Sequence, residues 1–178
     1  MKKLYLLIAL VFLPISSSCN LPGNSNSNPP TQAIGSIKGI LWHDLCKFSG
    51  GESGEPIVVG QGCVQWGAAA NEFGPNQLKD SFESGWAGVT LHLGSGPCPS
   101  IGPATAITNA SGEYQFSGLS AGTYCVSYSN LTDGNNLILI PGAPTFPSRG
   151  DNGFYATINL PTAEEMMVNF GYAWQFYN

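Results

Sequence analysis

The stretch Thr108-Asn-Ala-Ser-Gly112-Glu-Tyr114-Gln-Phe116-Ser-Gly-Leu119-Ser-Ala-Gly122-Thr-Tyr124-Cys-Val126-Ser-Tyr128 decides the fold. From Gly112 to Phe116 polar and apolar residues alternate. That period of two places one set of side chains on each face of a strand. Tyr124, Val126 and Tyr128 repeat the pattern and share one face of a following strand. Small residues and glycines between Gly118 and Gly122 have the composition of a turn. Two half-buried strands follow, with Tyr114, Phe116, Leu119 and Tyr124 filling a core.

The flanking segments are built of similar short β-prone runs. Ser36 to Trp42 is apolar and β-prone. Val89, Leu91 and Leu93 alternate with Thr90 and His92, so the histidine reads as facing solvent. Thr105 to Thr108, Leu137 to Ile140, Phe154 to Leu160 and Met166 to Tyr172 complete the set. Seven or eight short strands punctuated by Gly, Pro and Asn predict an all-β sandwich. Composition agrees, with 43% hydrophobic residues to build a core, 23 Gly and 13 Pro to make turns, and only 10% charged residues. Residues 45 to 85 depart from the pattern, being rich in Gly, Ser, Glu and Asn with few periodic apolar positions. A loop of this length is uncommon in a compact domain and reads as an insertion.

The 178-residue chain suits one domain behind a targeting segment and a tether. Residues 1 to 18 have the layout of a signal peptide: Lys2-Lys3, a short apolar run from Leu4 to Leu13, then small residues. Cys19 follows directly, as in bacterial lipoproteins, where that cysteine carries the lipid. Ser16 stands where such signals prefer Leu, and plain secretion is the alternative. Residues 19 to 33 are polar and Pro-rich and read as a lipid-anchored flexible linker. The domain expected beyond it spans residues 34 to 178. Export leaves Cys46, Cys63, Cys98 and Cys125 in an oxidising environment. Of three pairings, Cys46–Cys63 and Cys98–Cys125 close the shortest loops, and the first would staple the insertion. The formal net charge is -5 and two of the six basic residues lie in the targeting segment. No basic patch remains for a phosphate backbone, which argues against nucleic-acid partners.

Several segments resemble SdrD B-like domains of bacterial surface proteins, relatives of the collagen-adhesin B type. Gly35-Ser-Ile-Lys-Gly-Ile-Leu-Trp-His-Asp44 is similar to their G-x-I-x-G-x-V-W-x-D strand. Asp80-Ser-Phe-Glu83-Ser-Gly85-Trp-Ala87-Gly88-Val89 is similar to D-x-x-E-x-G-x-A-G-V. The stretch from Thr108 to Tyr124 follows T-D-A-x-G-x-Y-x-F-x-x-L-x-x-G-x-Y, and Val168-Asn-Phe170-Gly171-Tyr172 follows the closing V-D-F-G-Y. The resemblance implies a prealbumin-like, Ig-like β-sandwich used as a spacer or adhesive module at the cell surface. It also implies calcium as a cofactor, with Asp44, Asp80 and Glu83 as the surviving ligands. The family's D-x-N-x-D-G run between them is missing here, and solvated loop acids are the alternative. Related domains join a Lys and an Asn covalently; Lys38 and Asn169 lie on matching strands but read as outward-facing.

No nucleophile elbow, metalloprotease helix or phosphate-cradling loop occurs, so the expectation is a non-enzyme. Two roles remain: a structural or adhesive surface module, or a module binding a surface protein or glycan through loop aromatics. Trp66, Trp86 and Trp174 would carry the second role by stacking on a ligand. Their burial against the sandwich would favour the first.

Overall fold

A computed structural model describes residues 34–49, 58–69, 72–129 and 131–174. The expected signal peptide and tether, Cys19 included, lie outside the described residues. In chain order the strands are β1 (Gly35–His43), β2 (Phe48–Ser49), β3 (Val58–Val59), β4 (Cys63–Gln65), β5 (Phe73–Pro75), β6 (Thr90–Ser95), β7 (Ala104–Ile107), β8 (Glu113–Leu119), β9 (Gly122–Ser127), β10 (Ala143–Phe146), β11 (Tyr155–Leu160), β12 (Glu165–Met167) and β13 (Phe170–Ala173). One sheet is built on β1, which is antiparallel to β8 along one edge and parallel to β12 and β13 along the other, with β10 outside β13. The second sheet is antiparallel in the order β11-β9-β6-β7. The chain is thus an all-β sandwich, and its two sheets hold nine described strands. Two small ribbons, β2–β3 and β4–β5, occupy the insertion.

The core lies between the sheets. Ile37, Leu41, Tyr114, Phe116, Phe170 and Tyr172 enter from the first; Leu91, Leu93, Val126 and Leu160 enter from the second. Alternation decides which residues these are: Val89, Leu91 and Leu93 are buried while Thr90 and His92 are only partly so. Tyr114 adds a polar tie, its hydroxyl donating to the Val168 carbonyl at 2.6 Å. Gly39 is required where β1 passes the final strands, because a Cβ there would lie 1.6 Å from the Val168 oxygen.

The expected last strand is split. Between β12 and β13 the ladder slips, and Asn169 Oδ1 accepts the Ile40 N–H at 3.0 Å. A side-chain amide takes the place of a main-chain carbonyl, so Asn169 is engaged with β1 instead of merely solvated. Lys38 pairs with Glu165 at the surface. The run Leu137 to Ile140 is a second correction: Gly134–Leu139 forms a 3-10 helix, not a strand. A continuous apolar run has no period to distinguish the two. Buried Asn136 fixes this helix, accepting from Thr90 N at 2.7 Å and donating to the Thr90 and Ser129 carbonyls at 2.9 and 2.7 Å. Only Leu139 turns inward; Leu137, Ile138 and Ile140 are exposed.

Cys46 is bonded to Cys63 and Cys98 to Cys125, with Cα–Cα separations of 4.5 and 5.0 Å. The first bridge closes the insertion; the second ties the segment after β6 to β9. Among the described residues no helix is long and apolar enough to cross a membrane.

Candidate functional site

The insertion packs where β1 ends. Trp42 alternates away from the main core and lies in register with Gly171 of β13, which is in turn opposite Phe146 of β10. With no side chain at Gly171, the Trp42 and Phe146 rings meet across it, centroids 5.6 Å apart. A Cβ at Gly171 would lie 2.6 Å from Thr145 Oγ1 and 2.8 Å from the Trp42 ring. Trp42 therefore joins a small second core on the outer face.

Asp44 shares that face and is fully buried. Residues 84 to 86 run beside the end of β1, through His43 N to Ser84 O and Trp86 N to Leu41 O at 2.8 and 2.9 Å. This contact brings the Asp80 and Glu83 stretch to Asp44. Asp44 Oδ2 accepts the Gln77 N–H at 3.2 Å. Asp44 Oδ1 and Thr145 Oγ1 find no hydrogen-bond partner among the described residues, although the hydroxyl lies close enough to favour the carboxylate somewhat. Burial pushes the Asp44 carboxyl up to about 6, and the negative charges of Glu83 and Asp80 push the same way. Burial also raises Glu83.

The three acids predicted as calcium ligands thus share a neighbourhood, and four of their six carboxylate oxygens accept hydrogen bonds. Glu83 Oε1 accepts Leu45 N–H at 2.6 Å and Oε2 accepts Asp80 N–H at 2.8 Å. Asp80 Oδ2 accepts from the Asn76 amide at 2.9 Å. Among the described residues no three His, Cys, Asp or Glu side chains are grouped to hold one metal ion. Calcium requires six to eight oxygens around one point, and this arrangement does not fit it. The sequence reading passed over Lys79, whose ammonium donates to the main-chain carbonyls of Asp80 and Glu83.

Of the three tryptophans, Trp86 and Trp174 are partly buried and Trp66 is exposed. Trp66 lies in the ribbon region with Arg149 over its ring, 3.7 Å from the centre, and with Gly74 close against the ring. Its indole N–H donates to Pro75 O at 2.8 Å. Trp86 and Trp174 pack on each other at 5.3 Å, and His43 lies 4.8 and 6.1 Å from their rings. Trp66 and Trp174 do line one small cavity of about 250 Å³ with Phe73, Pro144 and Arg149. Trp66 remains 39% exposed.

A second polar pair was not legible in the sequence. His92 is half-buried, and its Nε2 meets both oxygens of Asp133 at 3.1 and 3.0 Å. The pair ties the loop after β9 to the outer face of β6.

No protein-family model matches the chain, and no curated protein matches it. Among solved structures, the chain has a likeness to the minor pilin GBS52 of the Gram-positive pathogen Streptococcus agalactiae, at 10% identity and a TM-score of 0.40. The match covers 80% of this chain and 45% of the pilin. A likeness this distant leaves the fold resting on the sheet topology itself.

Proposed function

We propose that the protein is an exported cell-surface module with a structural or adhesive role, anchored to a membrane by lipid at Cys19. The observation that carries this reading is the pairing of Cys46 with Cys63 and of Cys98 with Cys125 inside one small sandwich. Bridges of this kind persist in oxidising compartments and compensate for a limited core. The packing of Trp86 and Trp174 against each other and the core supports a structural role. The motif resemblance to SdrD B-like surface domains points the same way.

The test is cell fractionation of the full-length chain and Cys19→Ala, with metabolic labelling by a fatty acid. The reading expects a labelled wild type in the membrane fraction and an unlabelled variant released from it. An unlabelled wild type, or a Cys19→Ala variant that stays with the membrane, would remove the lipid anchor. Cleavage of the domain by protease added to intact cells, or after outer-membrane permeabilisation alone, tests exposure outside the cytoplasm. Cleavage only after lysis would remove the surface role.

A further inference from the structure

We propose that Lys79 is the resident cation of the insertion: its ammonium gathers the loop carbonyls that a calcium ion would otherwise gather, and the module is held rigid without metal.

The geometry of the loop carries this. Lys79 Nζ reaches back to two main-chain oxygens of its own turn, Asp80 O at 3.1 Å and Glu83 O. Converging carbonyls on one positive centre is how a loop binds a hard cation, and an ammonium with three donors does the same at close range. Of the carboxylates that would complete a metal shell, Glu83 is engaged at both oxygens and Asp44 and Asp80 at one oxygen each. Both Glu83 oxygens hold backbone N–H groups, of Leu45 across the insertion and of Asp80 within the turn. Hydrogen bonds to an ionised carboxylate are among the stronger ones. The rest of the turn is closed by its own groups: Leu78 N to Asn76 Oδ1 at 2.8 Å, the Asn76 amide to Asp80 Oδ2, and Glu83 N to Asp80 O at 3.2 Å. A divalent ion entering here would have to displace both Glu83 bonds and settle against the Lys79 charge.

The bridge Cys46–Cys63 supplies covalent closure beside this turn. Lys47 adds a further cation, 4.1 Å over the Phe82 ring. Gly62 fits between them because its Cβ would meet the Leu45 carbonyl at 2.2 Å and the Phe82 ring at 2.9 Å. Of the acids of the resemblance, Asp44 and Glu83 therefore anchor backbone N–H groups and Asp80 holds the Asn76 amide, with the Lys79 ammonium on the carbonyls beside them.

Thermal melts of the full chain in detergent micelles test the proposal, in excess calcium chloride and in excess EDTA. A working calcium site filled to about a hundredfold over its Kd would raise Tm by about 8 °C. The expected result is superimposable curves for the wild type. Lys79→Met keeps the apolar stem and removes the donors; it is expected to lower Tm by about 3–6 °C equally in calcium and EDTA. A calcium-dependent rise in wild-type Tm would overturn the proposal. So would a Lys79→Met variant that melts like the wild type. If that variant does not fold, the wild-type pair of curves still decides.

Discussion

Replacing Asp44 with Asn should make the protein more stable at neutral pH, and the structure gives the size of the effect. Asp44 is fully buried, and its carboxyl holds a proton up to about pH 6, against 3.8 when unfolded. A group whose folded pKa is raised stabilises fully below its unfolded value. That contribution fades as pH rises and is gone above the folded value. The difference of about two units corresponds to about 3 kcal/mol lost between roughly pH 4 and pH 6.5. For a domain of this size, that is about 6–12 °C in Tm. Asn cannot ionise. Its amide oxygen can still accept the Gln77 N–H, and its NH2 can face the unpaired Thr145 hydroxyl. Melts of wild type and Asp44→Asn from pH 4 to 8 should converge near pH 4 and diverge above pH 6, with the variant melting higher. Glu83, also raised by burial, leaves a slope of the same sign in both proteins. An Asp44→Asn variant that melts below wild type at pH 7.5 would refute the reasoning, because the ionised carboxylate would then gain more from its partners, the nearby Arg149 charge included, than burial costs it.

Other substitutions probe separate parts of the account. Gly39→Ala puts a Cβ 1.6 Å from the Val168 oxygen and should cost about 3 kcal/mol, read as a lower denaturant midpoint. Asn136→Ala leaves buried groups of Thr90 and Ser129 without partners and should cost at least about 2 kcal/mol, with hydrogen exchange at Thr90 speeding first. Replacing Cys46 and Cys63 together by Ala frees a bridge spanning 17 residues and should cost about 3 kcal/mol in the same denaturant assay. The Cys98 and Cys125 pair, spanning 27 residues, should cost slightly more, about 3.5 kcal/mol.

The strands of the second sheet and β8 are legible in the sequence because each has one face on the core and one towards solvent. That asymmetry imposes the period of two seen in Glu113 to Phe116 and in Val89 to Leu93. The break between β12 and β13 has no such signature, since it depends on Asn169 reaching a backbone N–H on β1. The 3-10 helix was hidden for a related reason. Its determinant is Asn136, a polar residue bonding to a distant strand, while the apolar run beside it suggested a strand. The motif resemblance placed Asp44 near Asp80 and Glu83, but not which atoms their oxygens meet. Lys79 was missed because its partners are main-chain carbonyls, which every sequence contains. Trp66 shows the same limit: composition cannot foretell that Arg149 lies over its ring.

The most direct test of an exported, disulfide-held surface module is a thiol count on the protein taken from its own envelope. Cells are lysed into alkylating reagent without reductant, and peptides carrying Cys46, Cys63, Cys98 and Cys125 are weighed before and after reduction. The account predicts no alkylation before reduction and two linked pairs, Cys46 with Cys63 and Cys98 with Cys125. Alkylation of two or more of these cysteines in the unreduced protein would contradict it.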